Sequence, residues 1–337
     1  MVPEGIHAVM ISYSRRDFAI IALAGIPLAR SLGAINSTIR GVRMGVQSAS
    51  FTFSGIDVDG IIKTLNDVGL AEIDVMSEHI ENYLGGPVQL PGTGRPGPWA
   101  RGNAPGPGRA KGAAPGTPAS GGAARGPGFG ADPAAREALR KWRLDIGLDK
   151  YREVGKKFAD GGVKFYSYNL SFNDTFTDEE IDKGFQMTQA LGTSIITASS
   201  PLSVFARLKP FAEKYNVVVA LHNHTTGPDE FKAAMSLSEK FWINLDVGHF
   251  FASGYDPLAY LKEHHSRITN IHIKDRKKNQ GAEMPFGEGE TPLREVLLLL
   301  KKERYDFPAC IEYVGPAGPA IELSKCLQYC KDVLTFV

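Results

Sequence analysis

The sequence predicts an α/β protein, a (β/α)8 TIM barrel in a single domain, and three observations carry that prediction. Past residue 40, apolar β-branched runs alternate with segments whose apolar residues recur at helical spacing, and the alternation yields eight strand–helix units. Four of the later runs, VVVALHNH, FWINLDVGH, ITNIHIKD and PACIEYV, contain near their ends side chains that can bind metal: His222, Asp246, His272 and Glu312. Successive strands of a parallel barrel would finish there, and the C-terminal rim is where such barrels gather their catalytic residues. Finally, no G-x-G-x-x-G follows the first strand, so the chief support for an open doubly wound sheet is missing.

The elements follow in order. Residues 1–34 are set apart from the barrel. Ser14-Arg15-Arg16-Asp17-Phe18 matches the twin-arginine export pattern, and a short, mostly apolar run from Ala19 to Ala29 lies behind it. A spanning helix needs ~18 or more apolar residues, so the run reads as a signal peptide, with cleavage between Ser31 and Ala34 and Met10 as an alternative start. The expectation is an exported, periplasmic protein with no membrane contact beyond that signal.

The barrel is expected over residues 41–337. Arg43 to Phe51 reads as the first strand, Asp57 to Val68 as the first helix and Ala71 to Met76 as the second strand. The pattern then stops. Residues 85–133 are a tract of Gly, Pro, Ala and Arg with almost no large apolar side chain. Such a segment cannot bury enough surface to offset its ordering entropy, so it is expected to be a disordered surface-loop insertion, and lengthening a loop costs little. Alternation resumes with a helical segment from Ala134 to Asp160. Strands follow at Val163 to Phe172, Thr193 to Ser199, Val217 to His224, Trp242 to Val247, Ile268 to Lys274 and Ala309 to Val314. Helices lie between and after them, at Thr177 to Leu191, Leu202 to Tyr215, Pro228 to Lys240, Pro257 to His265, Pro292 to Arg304 and Ala320 to Leu334.

Composition narrows the function classes. At 337 residues, 43% hydrophobic and 22% charged, the chain has ample core and length for one large barrel or two ordinary domains. A net charge of +1 excludes a generally cationic surface of the kind that grips nucleic acid without sequence preference. Three Cys are too few for a disulfide framework, and Cys326 and Cys330, four apart, read as residues of one helix face.

Strand periodicity tests the site from within the sequence, because alternate residues face the barrel interior. His222 shares its face with His224, Asp246 with Asn244, His272 with Asn270 and Lys274, and Glu312 with Cys310. The residues between them, such as Leu221, Leu245, Ile271 and Ile273, are apolar. Two imidazoles and two carboxylates suit one divalent ion such as Mn, Co, Zn or Fe better than Mg, which prefers oxygen and water. An ion there can stabilise the enediolate formed when a proton leaves carbon beside a carbonyl. Glu312 is the candidate catalytic base as well as a ligand, and His224, His249 and Lys274 are further candidates for proton transfer or substrate contact. His7, His79, His264 and His265 have no such company and are expected to be exposed.

Asp246-Val247-Gly248-His249, His272-Ile273-Lys274-Asp275, Phe286-Gly287-Glu288-Gly289 and Ile311-Glu312 closely resemble the sugar isomerase/epimerase superfamily with a xylose-isomerase-like TIM barrel. The resemblance runs from Val42 to Val337 apart from the Gly/Pro tract. It implies one divalent ion on Asp246, His272 and Glu312, a substrate contact from His249, and a small carbohydrate substrate. Many epimerases of the family carry Glu-Asn where this chain has His222-Asn223, and use two metal-bound glutamates on opposite faces of the substrate. With His222 in that place the symmetric pair is absent. A metal-bound imidazole has committed its lone pair, which shifts weight toward one-base chemistry: aldose–ketose isomerisation, or elimination from a keto-sugar or 3-keto-glycoside. An apurinic endonuclease would need further His ligands from earlier strands, and Ala71 to Ser77 and Val163 to Phe172 supply none. A non-catalytic sugar-binding protein is the remaining reading, since fold does not fix function.

Overall fold

In the computed structural model, residues 35–88 and 132–336 are described. Eight parallel strands close into a barrel: β1 Val42–Gln47, β2 Glu72–Met76, β3 Lys164–Asn169, β4 Ile195–Ala198, β5 Val218–His222, β6 Phe241–Asp246, β7 Ile268–Ile273 and β8 Ala309–Ile311. Neighbours in sequence are neighbours in the sheet, and β1 completes the circle by pairing with both β2 and β8. The strand-by-strand expectation of a (β/α)8 barrel is met. Among the described residues no helix is long and apolar enough to cross a membrane.

Each strand is short and rich in β-branched or aromatic residues, and the chain between strands returns as an amphipathic helix. Helix Val58–Val68 shows the logic. Asp57 caps its N-terminus by accepting from the Gly60 amide, its apolar stripe Val58, Ile61 and Leu65 is fully buried, and Gly69 ends it in a left-handed conformation. Burying each of those side chains contributes about 1.5–3 kcal/mol. Helix Asp178–Ala190 is capped by Thr177, with Asp178, Glu179 and Glu180 in its first turn.

Five details differ from the sequence reading. The first strand stops at Gln47, whose side chain accepts from the Ala49 amide and turns the chain into a 3-10 helix, Ser48–Phe51. The segment expected as one helix from Ala134 to Asp160 is two, Pro133–Asp145 and Leu148–Asp160, broken at Ile146-Gly147 where both residues take extended backbone. Two short helices, Ser77–Tyr83 and Val247–Ala252, follow β2 and β6 directly. His79 lies in the first of these and is buried, not exposed: Nε2 sits 3.1 Å from the Ser48 carbonyl, and burial pushes the imidazole down to about 4. His264 and His265 are half-buried and rest against Tyr260 and Tyr305. The expected signal peptide at 1–34, and His7 with it, lies outside the described residues. Of the insertion expected at 85–133, residues 89–131 also lie outside the described residues, while at its far end Asp132 caps and Pro133 opens a helix, Pro133–Asp145. Cys310, Cys326 and Cys330 are buried free thiols, the last two in helix Pro319–Thr335.

The flanks of residues 89–131 are tied together. Helix Ser77–Tyr83 leads in and helix Pro133–Asp145 leads out. Arg143 of the second places Nε 2.6 Å from Glu81 Oε1 of the first, and its Nη1 2.9 Å from Glu180 Oε1. Arg136 also pairs with Glu180. All of Glu81, Arg143 and Glu180 are buried.

Candidate metal centre and active site

The C-terminal ends of β5, β6, β7 and β8 converge on one point. One ligand atom from each of His222, Asp246, His272 and Glu312 lies within 4.8 Å of the others, and all four residues are buried. The local sequence explains why each side chain is held there.

His222 ends β5, and its Nδ1 lies 2.7 Å from Asn244 Oδ1. Asn244 in turn donates from Nδ2 to the Asn270 carbonyl at 3.3 Å, which fixes its oxygen as the acceptor for His222. Nδ1 of His222 therefore carries the proton and Nε2 keeps its lone pair. Burial holds this imidazole well below its usual pKa, in the neutral form that binds metal. Asn223 locks the ends of β5 and β6 together: it accepts from the Asp246 amide at 2.8 Å and donates to the Asp246 carbonyl at 3.0 Å.

Asp246 ends β6 and caps helix Val247–Ala252, its Oδ1 accepting from the His249 amide at 2.7 Å. Burial pushes this carboxyl up to about 7. Gly248 is required by the packing, because a Cβ there would collide with the Lys274 carbonyl oxygen of the neighbouring strand end. The Asp-Val-Gly-His string is thus a strand end, a close contact and a helix cap in four residues.

His272 near the end of β7 lies between Asp74 and Glu312: Nε2 is 2.9 Å from Asp74 Oδ2, and Nδ1 is 3.0 Å from Glu312 Oε2. Burial opposes its charged form, but the hydrogen bond to Asp74 and the nearness of Glu312 outweigh that and raise it to about 9. Glu312 follows β8 and accepts from Lys274 Nζ at 2.6 Å. Burial works against its charge, yet Lys274 and His272 hold the carboxyl well below the usual carboxylate range. Lys274 also reaches Glu283 Oε2 at 3.3 Å.

The donor set fits a divalent cation on an observation independent of motif. Asp246 Oδ2 is a buried polar atom without a hydrogen-bond partner, and His272 Nδ1 makes no well-aligned hydrogen bond although Glu312 Oε2 lies 3.0 Å away. Leaving such a group unpaired costs about 1–3 kcal/mol, and a shared cation would satisfy the oxygen and the nitrogen together. His222, Asp246, His272 and Glu312 are the residues that would hold it.

The candidate substrate groups gather around the same point. The rings of His222 and His224 are 4.9 Å apart, as are those of His224 and His249. Burial pushes His224 down to about 4 and His249 well below its usual value, so both are neutral. His249 Nδ1 accepts from Arg276 Nη1 at 2.6 Å. Lys274 and Asp275 do not pair with each other. Asp275 instead accepts from the amides of Gly287 at 2.9 Å, Gly289 at 3.0 Å and Thr291 at 3.2 Å, which folds the Phe-Gly-Glu-Gly loop over the end of β7.

All the residues proposed from sequence come together. Those that sequence reasoning missed are Asp74, Arg276 and Glu283; Asn244 was placed on the inward face, but not its bond to His222. Asp74 carried a usable signal: a carboxylate between Ile73 and Val75, in a strand otherwise apolar at its centre, has to find buried donors.

With this geometry in hand, comparison with known proteins assigns the family. A model of the xylose isomerase-like TIM barrel matches residues 129–330, more than half of the chain. The chain belongs to that family. An inosose dehydratase of Clostridium tetani is 24% identical over 151 residues, covering 36% of this chain and 51% of the relative. The chain thus spans about half the length of that relative, and a quarter of a second inosose dehydratase, from Clostridium beijerinckii. Among solved structures, the IOLI protein with a bound zinc atom superposes with a TM-score of 0.56 at 15% identity, covering 88% of this chain and 99% of that one. An L-ribulose 3-epimerase superposes with a TM-score of 0.54 at 12% identity, covering 88% and 95%. Identities this low speak for the shared fold.

Proposed function

We propose that the protein is a metal-dependent enzyme acting on a small carbohydrate or polyol ketone, which removes a proton from carbon beside a carbonyl and yields an isomer or epimer. The observation that supports this best is the convergence of four buried ligands at the barrel mouth, two of them with atoms in no well-aligned hydrogen bond. A divalent ion there would polarise a substrate carbonyl and stabilise the enediolate. Glu312 is the proposed base, held ionised by Lys274 at 2.6 Å. Lys274 would hand its proton to a substrate oxygen, and His249, with Arg276 on Nδ1, would donate from Nε2 to a hydroxyl. The His224 ring lies between those of His222 and His249, 4.9 Å from each.

Elimination is the second reading. It is favoured by the two inosose dehydratase relatives and by His222 in place of a second catalytic carboxylate. Both reactions begin with the same proton abstraction.

The deciding experiment is proton NMR in deuterated water, with metal-loaded protein and a panel of aldoses, ketoses, inososes and keto-glycosides. Deuterium uptake at a carbon beside the carbonyl, with the molecular formula kept, is the expected result. Uptake with loss of water or of an aglycone would move the protein to the lyases. No uptake and no product across the panel, with metal bound, would overturn the enzymatic reading in favour of sugar binding.

A further inference from the structure

A metal-binding imidazole can use either ring nitrogen, and which one is free depends on what the other is bonded to. For His272 that partner is Asp74, a residue of β2 on the far side of the barrel. Asp74 is fully buried and collects three donors: Gln47 Nε2 at 3.1 Å from Oδ2, Thr197 Oγ1 at 2.9 Å from Oδ1, and His272 Nε2 at 2.9 Å from Oδ2. A bare imidazole nitrogen facing that oxygen would set lone pair against lone pair, so Nε2 must carry the hydrogen. What remains is Nδ1, buried and 3.0 Å from Glu312 Oε2 but not in hydrogen-bond alignment with it.

We propose that Asp74 is a positioning residue that holds a hydrogen on His272 Nε2, so that Nδ1 is the atom offered to a divalent ion. The inference rests on reading the four-ligand cluster as a metal site. Asp74 is itself fixed, from β1 through Gln47 and from β4 through Thr197, so three strands that contribute no ligand set the direction of one that does. Its chemistry is that of a carboxylate behind a metal-bound histidine, which orients the ring and raises its basicity.

The test uses zinc alone and needs no substrate. Zinc affinity is measured by competition with a chromogenic chelator for wild type, Asp74→Asn and Thr197→Val, with thermal melts of the zinc-free proteins alongside. Asp74→Asn keeps shape and an acceptor oxygen but loses the charge, and is expected to weaken zinc binding by about 10–100-fold with little change in melting temperature. Two-bond proton–nitrogen NMR spectra of the zinc-loaded wild type should show His272 protonated at Nε2, a signature that a purely structural Asp74 would not produce. That spectrum stands even where a variant fails to fold. Zinc coordinated through Nε2, or an Asp74→Asn protein that binds zinc as tightly as wild type, would overturn the proposal while leaving the metal site intact. Wild type that binds no zinc would instead remove the metal reading beneath it.

Discussion

At the scale of single residues, Glu312 and Gly248 carry the most specific expectations. Glu312→Gln keeps an oxygen for a metal but removes the basic carboxylate. Turnover should fall by at least ~10²-fold, the usual scale for general-base catalysis, with some metal retained. Single-turnover deuterium exchange measures this directly. Exchange at near wild-type rate would place the base elsewhere, with Lys274 and His224 next to mutate. Gly248→Ala acts by crowding, since its new methyl would meet the Lys274 carbonyl, which is backbone and cannot rotate away. Overpacking of this kind costs about 1–3 kcal/mol. The same push displaces Asp246 and His249, so metal binding should weaken along with the fall in melting temperature. A variant as stable as wild type, with undiminished metal affinity, would contradict the packing argument.

At the scale of elements, the buried charges beneath residues 77–83 decide how helices dock. Arg143 is bonded to Glu81 and Glu180, and all three side chains are buried. Arg143→Met fills similar volume but leaves buried Glu81 without its ion-pair partner and Glu180 with Arg136 alone, a change worth about 3–5 kcal/mol. Chemical denaturation should register it. Glu78, beside Glu81, gives a pH effect of definite sign, because burial pushes its carboxyl from an ordinary 4.5 up to about 7. Below pH 4.5 it holds its proton whether the chain is folded or not. Between there and about 7 only the folded state keeps the proton, so stability falls as pH rises through that window and levels off above it. Glu78→Gln abolishes this titration. The variant's stability relative to wild type should therefore improve by roughly 1 kcal/mol per pH unit across the window, read from urea denaturation at about pH 5 and about pH 7. A constant difference between the two proteins would show that Glu78 titrates alike in both states.

Most of the molecule was legible in the sequence, for a physical reason. Parallel strands and their helices each have one strong period, and parity along four strands sufficed to bring His222, Asp246, His272 and Glu312 to one face. What escaped was short or distant. Helices Ser77–Tyr83 and Val247–Ala252 run for about two turns, too few for a 3.6-residue period to show against background. His79 was misplaced with the first of them, because an unrecognised helix on the rim hid its packing against Ser48. Asp74 meets His272 across 198 residues of sequence, and no local pattern reports such a pair. At this same scale, the pairing of Arg15 and Arg16 leads us to propose twin-arginine export. Arg15→Lys with Arg16→Lys should hold the precursor inside the cell, and unchanged periplasmic accumulation would show the pair to be accidental.

The seam between Glu81 and Arg143 has one more implication. Of the eight barrel strands, residues 35–88 supply β1 and β2, and these close the circle by pairing with β8 and β3 of the remainder. The short piece therefore meets the six-stranded piece along both of its open edges, and a buried ion pair clasps the junction. A chain severed between 89 and 131 would keep every strand pairing and every ligand of the candidate centre. Two separately made polypeptides could then reconstitute one barrel, with zinc capture reporting their reunion.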